Sequence, residues 1–442
     1  LARLWRYFRQ FTGFPREVKL FLGAFALIQL NEGAFFTLLP LLLNGLGMPE
    51  DAIGTALASR FLCMALISLP AAALSQKFAR KRLLMLGGVI FFISAICQVV
   101  FAATPLLYVF AGGMGIGGGF FLVNAAPFMH DYSSHETQPY VFGAFGALGP
   151  AMMFVGTTFG GSASDLIARA LSGWIPLSQV STAVFVHAYS IVLITCGALA
   201  GGCLLLAALI RDTAWRRSAE GYFTRILSLF SQRITWSQFT FTLVIGLGSG
   251  LVVPFFPIFL KVMLNVPASV VGVLQGVAMG SVSLGVLATP YLIARFGRVG
   301  TVVTSQAISL PFILGIAYAP FLVALGALPA VAIIATGAAF IIRNALMNLA
   351  NPVNSQLLMD IYGDRQRMNI VAINMMTFPL GRAIGAQIGG NMMRHINYQS
   401  PYWATFFLYT FGILVYFLAY GALEREFQRR VRNGEDTTEG ML

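Results

Sequence analysis

Leu74-Ser-Gln-Lys-Phe-Ala-Arg-Lys-Arg82 and Leu292-Ile-Ala-Arg-Phe-Gly-Arg298 are two copies of one short basic signature, each set between two strongly apolar segments. A cationic turn repeated between membrane-type helices says that the chain is built from two similar halves. Outward from these turns, the 442 residues are 57% hydrophobic and only 10% charged. That is more apolar surface than one water-soluble core can cover, so lipid is part of the solvent.

Apolar stretches of membrane-crossing length fall at 18–44, 51–76, 82–104, 106–130, 139–162, 181–210, 238–264, 268–293, 299–320, 326–351, 369–392 and 402–422. These are segments 1 to 12 of an all-α membrane protein. Interior Gly and Pro suit such helices, because neighbours re-satisfy the freed backbone groups. The alternation of a membrane barrel is absent.

The formal charge of +12 does not mark a nucleic-acid partner, because of where the charges lie. With the N-terminus in the cytoplasm, 22 of the 28 Lys and Arg residues fall on that side, against Arg169, Lys261 and Arg394 on the other. This asymmetry follows the positive-inside rule, places both termini in the cytoplasm and suits a plasma or inner membrane. Attraction to anionic membrane lipid accounts for the basicity. Residues 1–17, basic and aromatic, read as an interfacial segment rather than a cleaved signal. Cys63, Cys97, Cys196 and Cys203 lie inside segments without metal-ligand spacing and read as small buried hydrophobes.

The duplication extends well beyond the turns. Pro40 matches Pro257 at an offset of 217, Gly54 matches Gly272 and Arg80 matches Arg298 at 218, and Pro127 matches Pro352 at 225. Pro150 and Gly160-Gly161 match Pro379 and Gly389-Gly390 at 229. The offset only grows along the chain, as a duplication with a few insertions requires. The expected domains are six-helix bundles at 18–210 and 238–422, a cytoplasmic linker at 211–237 and a cytoplasmic tail at 423–442. Two parallel six-helix repeats are the architecture of transporters that rock one half against the other, so the chain is expected to hold one transport unit and to suffice as a monomer.

These features resemble the major facilitator superfamily, whose turn pattern runs Gly-x-Leu-Ala-Asp-Arg-x-Gly-Arg-Arg/Lys. The first copy supplies Leu74, Lys77, Arg80 and Lys81, with Ala72, Gln76 and Ala79 at the Gly, Asp and Gly places. The second supplies Arg295, Gly297 and Arg298, with Ala294 at the Asp place. Gly146-Ala-Leu-Gly149-Pro150 in segment 5 is similar to the Gly-x-x-x-Gly-Pro element of the family's drug:proton antiporter branch. The resemblance implies two pseudo-symmetric bundles, alternating access, and a gating role for Gln76, Lys77, Arg80, Lys81, Arg295, Arg298, Gly149 and Pro150. In the family the acid of the turn helps to lock the cytoplasmic side. Gln76 and Ala294 cannot hold that charge, so the lock is expected to be weaker or built from hydrogen bonds and the remaining cations.

Fifteen of the sixteen acidic residues read as lying in tails, loops or helix ends; only Glu32, within Gln29-Leu-Asn31-Glu-Gly33, is deep in a segment, and its counterpart is Ser249. A charge at the bilayer centre costs about 2.5–3.5 kcal/mol, so such a group is a functional candidate by default. Glu32 is the expected proton-coupling residue, with a structural, Arg-paired Glu as the alternative. Arg60, Arg343 and Arg382 are the basic counterparts inside segments 2, 10 and 11. Asn344, Asn348 and Asn351 follow Arg343 at i, i+4, i+7 spacing and form one helical stripe.

The family resemblance makes segments 1, 4, 7 and 10 line the cavity, so Glu32 and Arg343 are expected to face a common space. Gln29, Asn31, Asn124, Phe255, Phe256, Arg343, Asn344, Asn348 and Arg382 are the candidate cavity residues, with Gln275 and Asn374 beside them. The Phe pair reads as readily as packing. His187 is a candidate relay or a packing residue. His130 and His135, with Asp131 and Glu136, form a loop free of Lys and Arg that can meet the basic turns as an alternative gate.

Gly113-x-Gly115-x-x-Gly118 lies inside an apolar segment, without the strand or acid of a dinucleotide site. Nucleotide-hydrolysis, zinc-protease and nucleophile-elbow motifs are absent, so no enzyme activity and no cofactor are expected. The expected function is secondary active transport, as proton-coupled export of amphipathic small molecules. The alternatives are carriage of an anionic metabolite or lipid headgroup on the intramembrane arginines, or a transport-inactive sensor or scaffold. The partners implied are membrane lipids, a small-molecule substrate and protons or another coupling ion.

Overall fold

A computed structural model describes residues 13–134, 137–211 and 229–432. Residues 1–12 of the interfacial segment, 212–228 of the linker, the tail beyond 432, and His135 with Glu136 lie outside the described residues.

The chain is all-α. The helices are α1 (Arg16–Gly45), α2 (Glu50–Lys77), α3 (Arg80–Val100), α4 (Leu106–Tyr132), α5 (Gln138–Leu171), α6 (Thr182–Ala200), α7 (Gly202–Leu209), α8 (Arg233–Val252), α9 (Phe256–Leu264), α10 (Ala268–Tyr318), α11 (Pro329–His395) and α12 (Ser400–Arg432). Local chemistry explains the breaks. Glu50 and Asp51 in the first turn of α2 and Lys77 in its last complement the helix dipole. Pro254 converts the junction of α8 and α9 into a 3-10 turn, because it lacks the N–H that would continue the ladder. α10 holds segments 8 and 9 across a kink at Gly297, whose φ of 71° is open to glycine and strained for other residues. α11 holds segments 10 and 11 as one continuous helix.

Among the described residues ten helical stretches are long and apolar enough to cross a membrane, and Ala268–Val282 is a shorter apolar helix. Segment 11 is not one of the ten, because Asn374, Thr377, Arg382, Gln387 and Asn391 lower its hydropathy. α5 runs to Leu171, beyond the expected end at 162. Its extra turns carry Asp165, which is buried rather than terminal.

Of the described residues, those within 1–48, 59–220 and 267–276 form one compact unit, and those within 49–58, 221–266 and 277–442 form a second. The first residues of segments 2 and 8 thus each belong to the unit of the opposite half. In the first unit α1 crosses α5 with no room for side chains: a Cβ on Gly33 would meet the Met153 carbonyl at 2.5 Å, and one on Gly156 would meet the backbone of Leu30. In the second, Gly250 meets Arg382 and Gly385 meets Leu247 in the same way. Every one of these partners is related by the offsets of 217 and 229, so the duplication holds at the level of backbone contacts.

Candidate functional site

In the first unit, Arg60 of α2 donates from Nη2 to Oε2 of Glu32 on α1. The two side chains are 12% and 19% exposed, so each offsets a charge that the membrane interior would otherwise penalise. Arg60 does not have to reach for water, and Glu32 finds its cation within its own half rather than in Arg343. Beside the pair, Asn31 is fully buried and neither its Nδ2 nor its Oδ1 has a partner among the described residues. Asn124 of α4 is also buried; its Nδ2 donates to the Phe120 carbonyl at 2.7 Å, and its Oδ1 is unmet. Gln29 is half-buried against Gly149, and α5 continues as helix through Pro150. The Thr37 hydroxyl donates to Gln275 Oε1 at 2.6 Å.

The second unit is arranged differently. Arg343 of α11 is buried and donates from Nη2 to the Tyr409 hydroxyl of α12 at 2.6 Å. Asn344 donates to the Ala278 carbonyl at 2.8 Å, Asn348 to Asn344, and Asn351 to Asn348, so the expected stripe is a ladder of amides. Exposure rises along it, from buried Asn344 to exposed Asn351. Arg382 is half-buried and acts electrostatically on the same Tyr409.

Asn374 accepts from Gln238 and Thr242, each at 3.2 Å, within a buried network that includes Tyr420. Phe255 and Phe256 are fully buried, and Phe256 stacks on Phe340 with centroids 3.7 Å apart. Both rings are packed side chains in this structure. His187 is exposed on α6.

The ends of segments 2 and 8 carry a third group. Asp165 on α5 is 5% exposed, and its Oδ2 accepts from the Ser269 amide at 2.8 Å, at the start of α10. At the repeat-related positions Arg394 donates to Asp51 at 2.6 Å, at the start of α2. Tyr398 adds a bond to Glu50. Burial and that adjacent carboxylate push the Tyr398 phenol up, so it remains a donor. Asp165 reads from sequence as an ordinary helix-end acid; its offset of 229 from Arg394 is the signal that marks it.

At the basic turns, Arg80 pairs with Asp131 at 2.8 Å, and His130 Nδ1 lies 3.7 Å from the same carboxylate. Lys81 donates to the Ala208 carbonyl at 2.6 Å. Gln76 is half-buried and Lys77 exposed. In the second turn Arg295 lies over the Phe296 ring at 5.5 Å. Glu424 of α12 accepts from the Arg298 and Val299 amides. Acids from Asp131 and Glu424 therefore meet the two turns, although neither turn carries one itself. Among the described residues no group of three or more His, Cys, Asp and Glu could hold a metal ion.

The sequence matches the model of the Major Facilitator Superfamily over residues 21–351. No curated protein matches it. Among solved structures, a bacterial homologue of the human lysosomal transporter Spinster, inward-facing and unoccupied, is 15% identical with a TM-score of 0.70, over 94% of this chain and 98% of that one. A nucleoside transporter is 14% identical with a TM-score of 0.70, over 91% and 100%. A D-xylose-proton symporter is 13% identical with a TM-score of 0.69, over 91% and 96%. At such identities these structures establish the fold, while the family match spans most of the sequence. An integral multi-pass membrane protein with this duplicated helical scaffold and this match belongs to the major facilitator superfamily of transporters.

Proposed function

We propose that the chain is a secondary active transporter working by alternating access, in which the Glu32–Arg60 pair couples proton movement to the export of amphipathic small molecules. The pair itself carries the reading: an acid and a base, both inside membrane spans, with no other side-chain partner among the described residues. A proton arriving at Glu32 removes the charge that holds Arg60. The guanidinium is then left in a medium that penalises it, and any conformation offering it water or another partner gains. Proton uptake and conformational preference are thereby linked through one contact. A proton symporter among the structures of the same fold supports the coupling.

The termini lie in the cytoplasm on this reading, by the asymmetry of Lys and Arg. The Arg80–Asp131 pair and the Glu424 cap then fasten the cytoplasmic ends of helices. Gln29, Asn31 and Asn124 are the candidate polar substrate ligands of the first unit, and the Asn344–Asn348 ladder those of the second.

Reconstituted in vesicles with an imposed pH gradient and a fluorescent amphipathic dye, the wild-type protein drives dye transport. Glu32→Gln loses the gradient-driven component and keeps downhill exchange. Infrared difference spectra on acidification show a protonated-carboxyl band that Glu32→Gln removes. Undiminished pH-driven transport by Glu32→Gln would overturn the proposal.

A further inference from the structure

The second unit contains a cluster rich in hydrogen-bond donors and poor in acceptors. Arg343, 5% exposed, has one side-chain hydrogen bond among the described residues, and it goes to the neutral Tyr409 hydroxyl. Its guanidinium lies 5.5 Å from that ring, and no described carboxylate pairs with it. Tyr409 accepts this bond and has no acceptor for its own proton among the described residues. Tyr402, one i+7 step earlier on α12, is fully buried, its hydroxyl has no partner among the described residues, and it lies within electrostatic reach of Arg343. Arg382 adds a second positive charge acting on Tyr409.

The described carboxylates of the unit are committed elsewhere: Glu50 to Tyr398, Asp51 to Arg394, and Glu424 to the amides of Arg298 and Val299. A buried cation whose one side-chain partner is a neutral hydroxyl, beside the unmet Tyr402 hydroxyl, calls for a group that is acceptor-only and negative. A cationic or purely apolar cargo would leave that charge uncompensated.

We infer that the Arg343 cluster receives a phosphate-type oxyanion borne by the transported molecule. Arg343 is the direct ligand. Tyr409 takes up one N–H of the guanidinium and leaves the others for a bidentate contact. The ladder from exposed Asn351 through Asn348 to buried Asn344 ends one residue from Arg343 and supplies a polar approach along α11. This inference rests on the transporter reading and names the chemical class of the cargo.

The test is equilibrium binding to the full-length protein in detergent, with no gradient imposed, so that a failure of proton coupling leaves it untouched. The probes are inorganic phosphate and a single-chain lipid phosphate monoester, each against chloride at equal ionic strength, read by thermal shift and equilibrium dialysis. Saturable binding of at least one phosphate probe is expected, weakened about tenfold or more in Arg343→Gln. Arg343→Lys keeps the charge and binds between the two. Tyr409→Phe binds at least as tightly as wild type, since it releases an N–H to the anion.

Binding of the lipid phosphate alone assigns the group to an amphipathic cargo, and binding of inorganic phosphate alone assigns it to a small metabolite. Should Arg343→Gln not fold, Arg343→Lys and Tyr409→Phe carry the test. No binding of either probe, binding indifferent to Arg343, or loss of binding in Tyr409→Phe would overturn the inference, leaving a structural Arg–Tyr pair.

Discussion

Where the first half holds Glu32 and Arg60, the repeat offsets place Ser249 and Ala278 in the second; where the second holds Arg343 and Arg382, they place Gly118 and Met153 in the first. The backbone crossings around these positions are nevertheless the same, Leu30 on Gly156 in one half and Leu247 on Gly385 in the other. Duplication preserved the surfaces that let helices approach and left the charges free to diverge. One half carries a neutralised pair, and the other carries Arg343 donating to a neutral hydroxyl. The tips repeat the lesson, since the helix start that Asp165 caps in one unit corresponds to an Asp51–Arg394 ion pair in the other.

The comparison breaks most readily at its charges. Glu32→Ala leaves Arg60 in the membrane without its counter-charge and is expected to lower stability on the order of 3 kcal/mol. The double variant Glu32→Gln/Arg60→Gln should recover most of that loss in thermal denaturation. Ser249→Ala, at the equivalent place, should change little. Equal losses at Glu32 and Ser249 would mean that the halves are not divided by charge as described.

A smaller and symmetric effect is expected from the scaffold. Gly156→Ala and Gly385→Ala each force a methyl group into a backbone–backbone contact, at about 2 kcal/mol apiece by overpacking. Similar midpoints for the two variants sharpen the view of one crossing used twice, whereas tolerance at only one would show that the crossings have diverged. The smallest effects lie at the basic turns. Arg80→Gln and Glu424→Gln, losing a partly exposed ion pair and a helix-start charge, should each cost about 1 kcal/mol or less and less again at high salt.

Much of this was legible in the residues. The offsets of matched Pro and Gly gave the duplication, and the same offsets relate the contacting glycines, because close approach leaves few residue types to choose from. Glu32 stood out because a lone acid in an apolar run is costly. The amide ladder followed from spacing of four and three residues along one helix.

Pairing across helices did not follow, because it depends on how each helix is rotated about its axis. Arg60 is the partner of Glu32, which nothing in its spacing along the chain singles out from Arg343 or Arg382. Tyr409 was passed over, although Tyr402, Tyr409 and Tyr416 recur every seven residues and all three are buried. Glu424 read as a tail residue, and its role as a cap depends on the fold bringing α12 to the kink at Gly297.

Each basic turn is tied to the place where its own half ends. Lys81 holds the carbonyl of Ala208, and Tyr132, one residue past the Asp131 that Arg80 engages, holds that of Arg211. Glu424, at the exit of α12, holds the amides that follow the second turn. The fastening of each half is therefore closed before the chain leaves it.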